Sequence, residues 1–445
     1  MQRRLDKGMV NKIAILLLLL TLMVGCSSRK ETKEGISLRW SAYGAAGYDE
    51  VRMGISKRFE ELHPGIKVKY EPVHQEYQPK ILSQLASGTA PDVFVVAWNL
   101  GTLVSKGTLY DITDWVNEDK DYFQGVSYPQ LLEDHTWDGR IYGLPQNITV
   151  SVLFYNKDLF DREGLTYPDE NWTWQDVLES AKKLTKRNEQ GRALQYGVVT
   201  PLHYKQLLLY IFQNGGKIWN EDRSRCIINS AESREALEFW RNLCIKERVA
   251  PTQSDIQNIG GVAGGNLGSA DIFFMGRGAM YFEGSYEVSN FKVLKRDRFN
   301  WDATLGPISK KGQDRLSLRY YNSLGVWSKS KHPREAYELL KFLTIHETTK
   351  AYVELGDSLP LHRQGVDMDL YLQDPLRPPQ ARKAMLESLG FSKSLYWMMV
   401  NPKAKVSYLE QEEILSLYFE KFIIGQLSVE EMLQAIENKL NSLVQ

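Results

Sequence analysis

The sequence predicts an α/β protein, and two observations carry the prediction. Strand-like and helix-like apolar patterns alternate from residue 37 onward, the rhythm of helices packed on a sheet. One strand candidate, "PDVFVVAW" (91–98), is a continuous apolar run suited to burial on both faces. With 445 residues, 43% hydrophobic and 25% charged, the chain has the composition of an ordinary globular protein long enough for two or three domains.

Taken in order, the chain begins with Arg3, Arg4, Lys7 and Lys12, followed by an apolar run from Ile13 to Val24, Gly25 and Cys26. This order reads as a secretory signal over residues 1–25. The apolar run is too short for the roughly 20 residues that a spanning helix needs. The stretch Leu22-Met23-Val24-Gly25-Cys26 resembles the bacterial lipobox, with Met23 where leucine is usual. That likeness implies lipidation at Cys26, which would anchor the chain to a bilayer, with residues 26–36 as acylated cysteine and polar tether.

"ISLRW" (36–40) then reads as a strand, Val51, Ile55, Phe59 and Leu62 as one helix face, and "IKVKYEPV" (66–73) as another strand. A second helix ends near Gly88 before the buried strand. In "YGLPQNITVSVLFYNKDLF", Pro145 to Asn147 form a turn between two strand-like runs. Thr173 and Asp176 make a capping-box start for a helix that buries Trp174, Val177, Leu178, Ala181 and Leu184. Asn229 or Ser230 caps a helix with Ala236, Leu237, Trp240 and Leu243 on its buried stripe. That helix separates Cys226 from Cys244 by about 20 Å at 1.5 Å per residue. A disulfide requires Cα atoms within about 7 Å, so two free, buried thiols are expected.

Charge narrows the partners. Without Arg3, Arg4, Lys7, Lys12 and Asp6, the mature chain carries 51 basic against 54 acidic residues. This balance leaves no electrostatic footprint for nucleic acid. "GGVAGGNLG" (260–268) lacks the Lys-Ser/Thr ending of a phosphate loop and reads as a mobile surface loop. "HETTK" lacks the second histidine of a zinc-protease motif, and Asp367, Asp369 and Asp374 lack the calcium-loop glycine. No metal, cofactor or catalytic residue is expected.

Several stretches, in order, carry a family resemblance: "SGTAPDVFVVAW", "GRIYGLPQNITVSVLFYNKDLFDREGL" with "WTWQDVLESAKKLT", "FMGRGAMYFEGSYEV", "SLGVWSKSKHPREAYELLKFLTIHETTKAYVELGDSLP" and "IIGQLSVEEMLQAIENKLNSL". Together they resemble the extracellular solute-binding proteins, the lipoprotein receptors of ATP-binding-cassette importers, in the group with maltodextrin- and oligosaccharide-binding members. The resemblance implies a type II periplasmic-binding-protein-like fold of two lobes joined by crossing strands. The crossings are expected at Leu144 to Asn147, near Leu305 to Ser309 and near Gly356 to Leu361. Lobe one is then 37–145 plus 310–356, and lobe two 147–305 plus 362–445.

On this reading the chain is a monomeric receptor, not an enzyme, tethered to the outer face of the cytoplasmic membrane, or periplasmic in a cell with two membranes. It captures a carbohydrate, expected to be an oligosaccharide, by hinge closure and delivers it to membrane permease subunits. Another polar solute (a glycerol phosphodiester, polyamine or organic acid) and an exported glycoside hydrolase are the alternatives.

Carbohydrate clefts need flat rings for the sugar faces and planar polar groups for the hydroxyls. Trp98 and Asn99 end the buried strand, where ligands of open α/β sheets bind. Tyr43 and Tyr48 flank a Gly/Ala-rich loop after the first strand. Gln146 and Asn147 lie at the first crossing, His203 and Tyr204 follow "QYGVVTP", and Glu283 and Tyr286 lie in "FEGSYEV". Relatives often carry tryptophan in place of Tyr286. Tyr321 and Asn322 precede "SLGVWSKS", at a place usually richer in glycine, so a site shaped differently from the maltodextrin pocket is expected.

Overall fold

The computed structural model describes residues 35–44, 48–96, 100–123, 130–263, 268–293, 299–344, 347–356, 358–361, 366–375, 377–399, 401 and 408–444. Cys26 and the expected signal lie outside them. No helix among the described residues is long and apolar enough to cross a membrane.

Two main sheets organise the chain. The first uses β1 (Ile36–Tyr43), β2 (Ile66–Val73), β3 (Val93–Val95), β6 (Leu144–Pro145) and β13 (Ser323–Val326), in the order β2-β1-β3-β13-β6. β1 lies parallel to β2 and β3, while β13 runs antiparallel to β3 and β6. Leu38, Trp40 and Ala42 alternate inward from β1 and are buried, as a period of two requires. The helix Tyr48–Leu62 covers them with Ile55 and Phe59, but Leu62, expected on the buried face, is half exposed at the helix end. β4 (Thr136–Trp137) and β5 (Arg140–Ile141) form a small hairpin before β6.

The second sheet is built on β7 (Thr149–Asn156), whose eight residues are all buried. Its other strands are β8 (Lys186–Arg187), β9 (Ala193–Val199), β10 (Gly278–Gly284), β11 (Trp301–Leu305), β12 (Ser317–Tyr320) and β14 (Ser392–Ser394). The order is β14-β12-β7-β10-β9-β8, with β11 also on β7. β11 pairs with residues 152–156 of β7 and β12 with Thr149 and Val150, so two short strands follow one another along one edge of β7. Consequently Leu305 to Ser309 connect strands within this sheet. The chain returns to the first sheet later, through Tyr321 and Asn322, which corrects the expected second crossing. Residues 317–320 therefore stand in the second sheet, not in lobe one.

The passages lie against one another. Gln146 N–H donates to Asn322 O at 2.7 Å, Asn322 N–H to Asn147 Oδ1 at 2.7 Å, and Leu359 N–H to Ile148 O at 2.8 Å.

Local signals formed as their chemistry dictates. Thr173 and Asp176 make a reciprocal capping box on the helix Trp174–Leu184, and Ser230 caps the helix Ala231–Arg241. Cys226 and Cys244 are both buried and unbonded, and burial pushes the Cys226 thiol up to about 12. The expected glycine loop at 260–268 begins instead as the end of a helix, Gln253–Ala263; 264–267 lie outside the described residues. The C-terminal helices Tyr408–Ile423 and Val429–Asn441 pack on the helices Tyr204–Gln213 and Ala231–Arg241.

Candidate functional site

A cavity of about 430 Å³ opens where the second sheet meets the crossings. Asn147 and Thr149, two residues apart in extended chain, present the same face to it, and Tyr320, Tyr321 and Asn322 enter from the second crossing. His203, Tyr204 and Lys205 come from the start of the helix Tyr204–Gln213, and Tyr286 from the turn after β10.

Small residues and hydrogen bonds set these side chains. Gly284 lets the Tyr286 ring lie against the backbone, since a Cβ there would sit 2.2 Å from a ring carbon. Tyr286 meets Tyr320 at 77° with centroids 6.0 Å apart, an edge-to-face pair. His203 caps its helix by accepting Gln206 N–H at Nδ1, 3.2 Å away. This leaves Nε2–H to donate to Glu283 Oε2 at 3.3 Å. Glu283 Oε1 accepts Gly284 N–H at 2.8 Å, and the carboxylate also holds Tyr286 by a hydrogen bond. Burial and then the Glu283 charge keep the Tyr286 phenol well above its ordinary range, and burial does the same for Tyr320. Both hydroxyls remain protonated and able to donate. The Tyr321 hydroxyl pairs with Ser394 Oγ at 2.8 Å.

Six of the expected site residues therefore converge: Asn147, His203, Tyr204, Tyr286, Tyr321 and Asn322. Glu283 is buried directly behind them. Gln146 is a correction: it is fully buried, and its Nε2 points to Leu343 O at 3.5 Å instead of into the cavity. Gln146 sits at a bend between β6 and β7, which turns its amide toward Leu343 while Asn147 lines the cavity. Tyr48 does not line this cavity; its ring packs 5.9 Å from Tyr352, and the Arg52 guanidinium lies over it. Tyr43 does not line the cavity either; its ring rests 4.3 Å from Tyr77. Burial, opposed by a hydrogen bond with Gln78 and helped by the Glu412 charge, raises its phenol to about 12. Trp98 and Asn99 lie outside the described residues.

The sequence reading missed Thr149, Lys205 and Tyr320. Thr149 could have been found by the period of two from Asn147, and the others as chain neighbours of Tyr204 and Tyr321. Among the described residues no group of three or more His, Cys, Asp or Glu is placed to hold a metal.

A second cavity, of about 490 Å³, lies by β14. It is lined by Glu133 and Asp134 from before β4, by Trp219 and Arg223, and by Arg319 and Trp397. Arg319 Nε and Nη2 reach Asp134 Oδ2 at 2.9 and 2.5 Å, and its Nη1 donates to Ser392 O at 2.9 Å.

Residues 44–350 match the family described as bacterial extracellular solute-binding protein. An arabinooligosaccharide-binding protein of Bacillus subtilis is 23% identical over 354 residues, 76% of each chain. An ABC substrate-binding protein of Listeria monocytogenes, solved in complex with cycloalternan, superposes with a TM-score of 0.78 at 28% identity, covering 92% of this chain and 98% of that one. A Mycobacterium tuberculosis protein solved with glycerophosphocholine shares the fold with a TM-score of 0.74 at 16% identity, covering 92% and 98%.

Proposed function

The chain belongs to the bacterial extracellular solute-binding proteins, and from that premise we propose that it captures an uncharged oligosaccharide in the cavity at the crossings. One observation carries this reading. Tyr204, Tyr286, Tyr320 and Tyr321 share a single hollow with the amides of Asn147 and Asn322 and the hydroxyl of Thr149. Rings supply apolar faces for sugar rings, and amides and hydroxyls supply the two-sided hydrogen bonding that buried sugar hydroxyls require.

The action is a population shift. A sugar seated on β7 and the 321–322 passage touches the segments about which the two sheets would rotate. Its extra contacts in the shut form favour that form. The shut receptor is what permease subunits of an ATP-binding-cassette importer would engage. No covalent step is part of this reading. Acylated Cys26 would hold a monomer at the outer face of the cytoplasmic membrane, consistent with the lipobox likeness.

A thermal-shift panel of neutral oligosaccharides tests the ligand class. A sugar at about 100 times its Kd adds about 2.7 kcal/mol of stability, and small-angle scattering should then show compaction. Stabilisation by a glycerol phosphodiester with none from any sugar would overturn the reading. For the anchor, detergent partitioning of the protein expressed in a bacterium should move from the detergent to the aqueous phase in Cys26→Ser.

A further inference from the structure

The cavity's two basic side chains are both answered by carboxylates that do not line it. Lys205 Nζ lies 3.6 Å from Glu412 Oε1, as His203 Nε2 lies 3.3 Å from Glu283 Oε2. Glu412 comes from the helix Tyr408–Ile423, far along the chain, and accepts a hydrogen bond from the Tyr204 hydroxyl. The ammonium of Lys205 also rests 5.5 Å from the centre of the Tyr204 ring. Tyr204, Lys205 and Glu412 thus form one unit at the rim of the hollow. The side chains of Lys205 and Glu412 retain 27% and 19% of their exposure, so the pair remains in reach of solute and water.

We propose that Glu412 is a specificity-determining residue: by countering Lys205 it leaves the hollow without an unanswered positive charge and excludes anionic sugars and phosphodiesters. The proposal rests on the reading of this cavity as a carbohydrate site and deepens it. A carboxylate or phosphate brought to Lys205 meets the like charge of Glu412, whereas a hydroxyl can accept from the ammonium without that repulsion. Selectivity of this kind comes from the repulsive element as much as from the attractive one.

Glu412→Gln keeps an acceptor for Tyr204 and removes the charge. Galactotriose, trigalacturonate and inorganic sulfate are titrated against the wild-type protein, Glu412→Gln and the double variant Glu412→Gln/Lys205→Met, by calorimetry with parallel melting curves. Wild type should prefer the neutral trisaccharide and show no stabilisation by sulfate. Glu412→Gln should bind trigalacturonate about tenfold more tightly than wild type, gain stabilisation by sulfate, and lose both gains with Lys205→Met. A folded Glu412→Gln protein with unchanged trigalacturonate affinity and no response to sulfate overturns the role of Glu412. Tight wild-type binding of trigalacturonate overturns the exclusion. A wild-type protein that ignores galactotriose and every neutral member of the wider panel overturns the carbohydrate reading itself. The sulfate response, which needs no sugar, still reports on Glu412 alone.

Discussion

In the first cavity the basic groups face the hollow with their carboxylates behind them, while in the second Arg319 is closed onto Asp134 and Ser392. The side chains of Arg319 and Asp134 keep only 6% and 9% of their exposure, against 27% for Lys205 and 42% for His203. The difference separates two uses of charge. A guanidinium that spends its donors inside the protein joins the strand β12 to the segment before β4 and has little left for a solute. A half-wet lysine or histidine can still answer one. Neighbouring contacts reinforce the structural use: Trp397 Nε1 donates to Asp134 O at 3.0 Å, and Gly101 N–H to the Tyr396 hydroxyl at 2.6 Å.

The strongest way to break this contrast is Arg319→Met. It strands a buried carboxylate, so unfolding in urea should show a loss of about 3–5 kcal/mol, and adding Asp134→Leu should restore most of it. A loss below about 1 kcal/mol would make the second ion pair as dispensable as a surface one.

Behind the first cavity, Glu287 is 5% exposed and receives the Tyr281 hydroxyl at 2.9 Å. Burial, countered by the Asn290 hydrogen bond and helped by the Glu283 charge, raises its carboxyl to about 7. The folded chain therefore keeps a proton that the unfolded chain releases between about 4.5 and 7. This contribution is full below about pH 4.5 and fades as pH rises through about 7. Glu287→Gln should flatten that part of the stability profile by about 1–3 kcal/mol.

Gly284→Ala should displace the Tyr286 ring and weaken oligosaccharide binding about tenfold, with a smaller fall in melting temperature. Calorimetry on a sugar from the neutral panel checks it. The smallest effect concerns salt: affinity for that sugar should change less than about twofold between 0.05 and 0.5 M sodium chloride, since the ligand is uncharged and the Lys205 ammonium is already countered by Glu412. A steep salt dependence would point to an uncompensated charge in the site.

Particular residues show how far the sequence reached. The helix caps at Thr173 and Ser230, the two-faced burial of β3 and the unpaired state of Cys226 and Cys244 were legible because each depends on neighbours within a few residues or on helix length. Asn147, His203, Tyr204, Tyr286, Tyr321 and Asn322, expected from strand ends, turns and the family resemblance, line one cavity together. Gln146, Tyr48 and Tyr43 do not line that cavity, because adjacency in the chain says nothing of which face a side chain takes once a second element packs on it.

The sequence by itself determined the α/β class, the order of its elements and the local hydrogen bonds that start its helices, all of which follow from short-range periodicity and capping. Only the tertiary structure decided where β12 belongs, because strand pairing is chosen by partners distant in the chain. For the same reason it alone decided that Glu412, more than 200 residues from Lys205, stands beside it. A charge pair of that separation depends on how whole helices pack, and no local pattern encodes it.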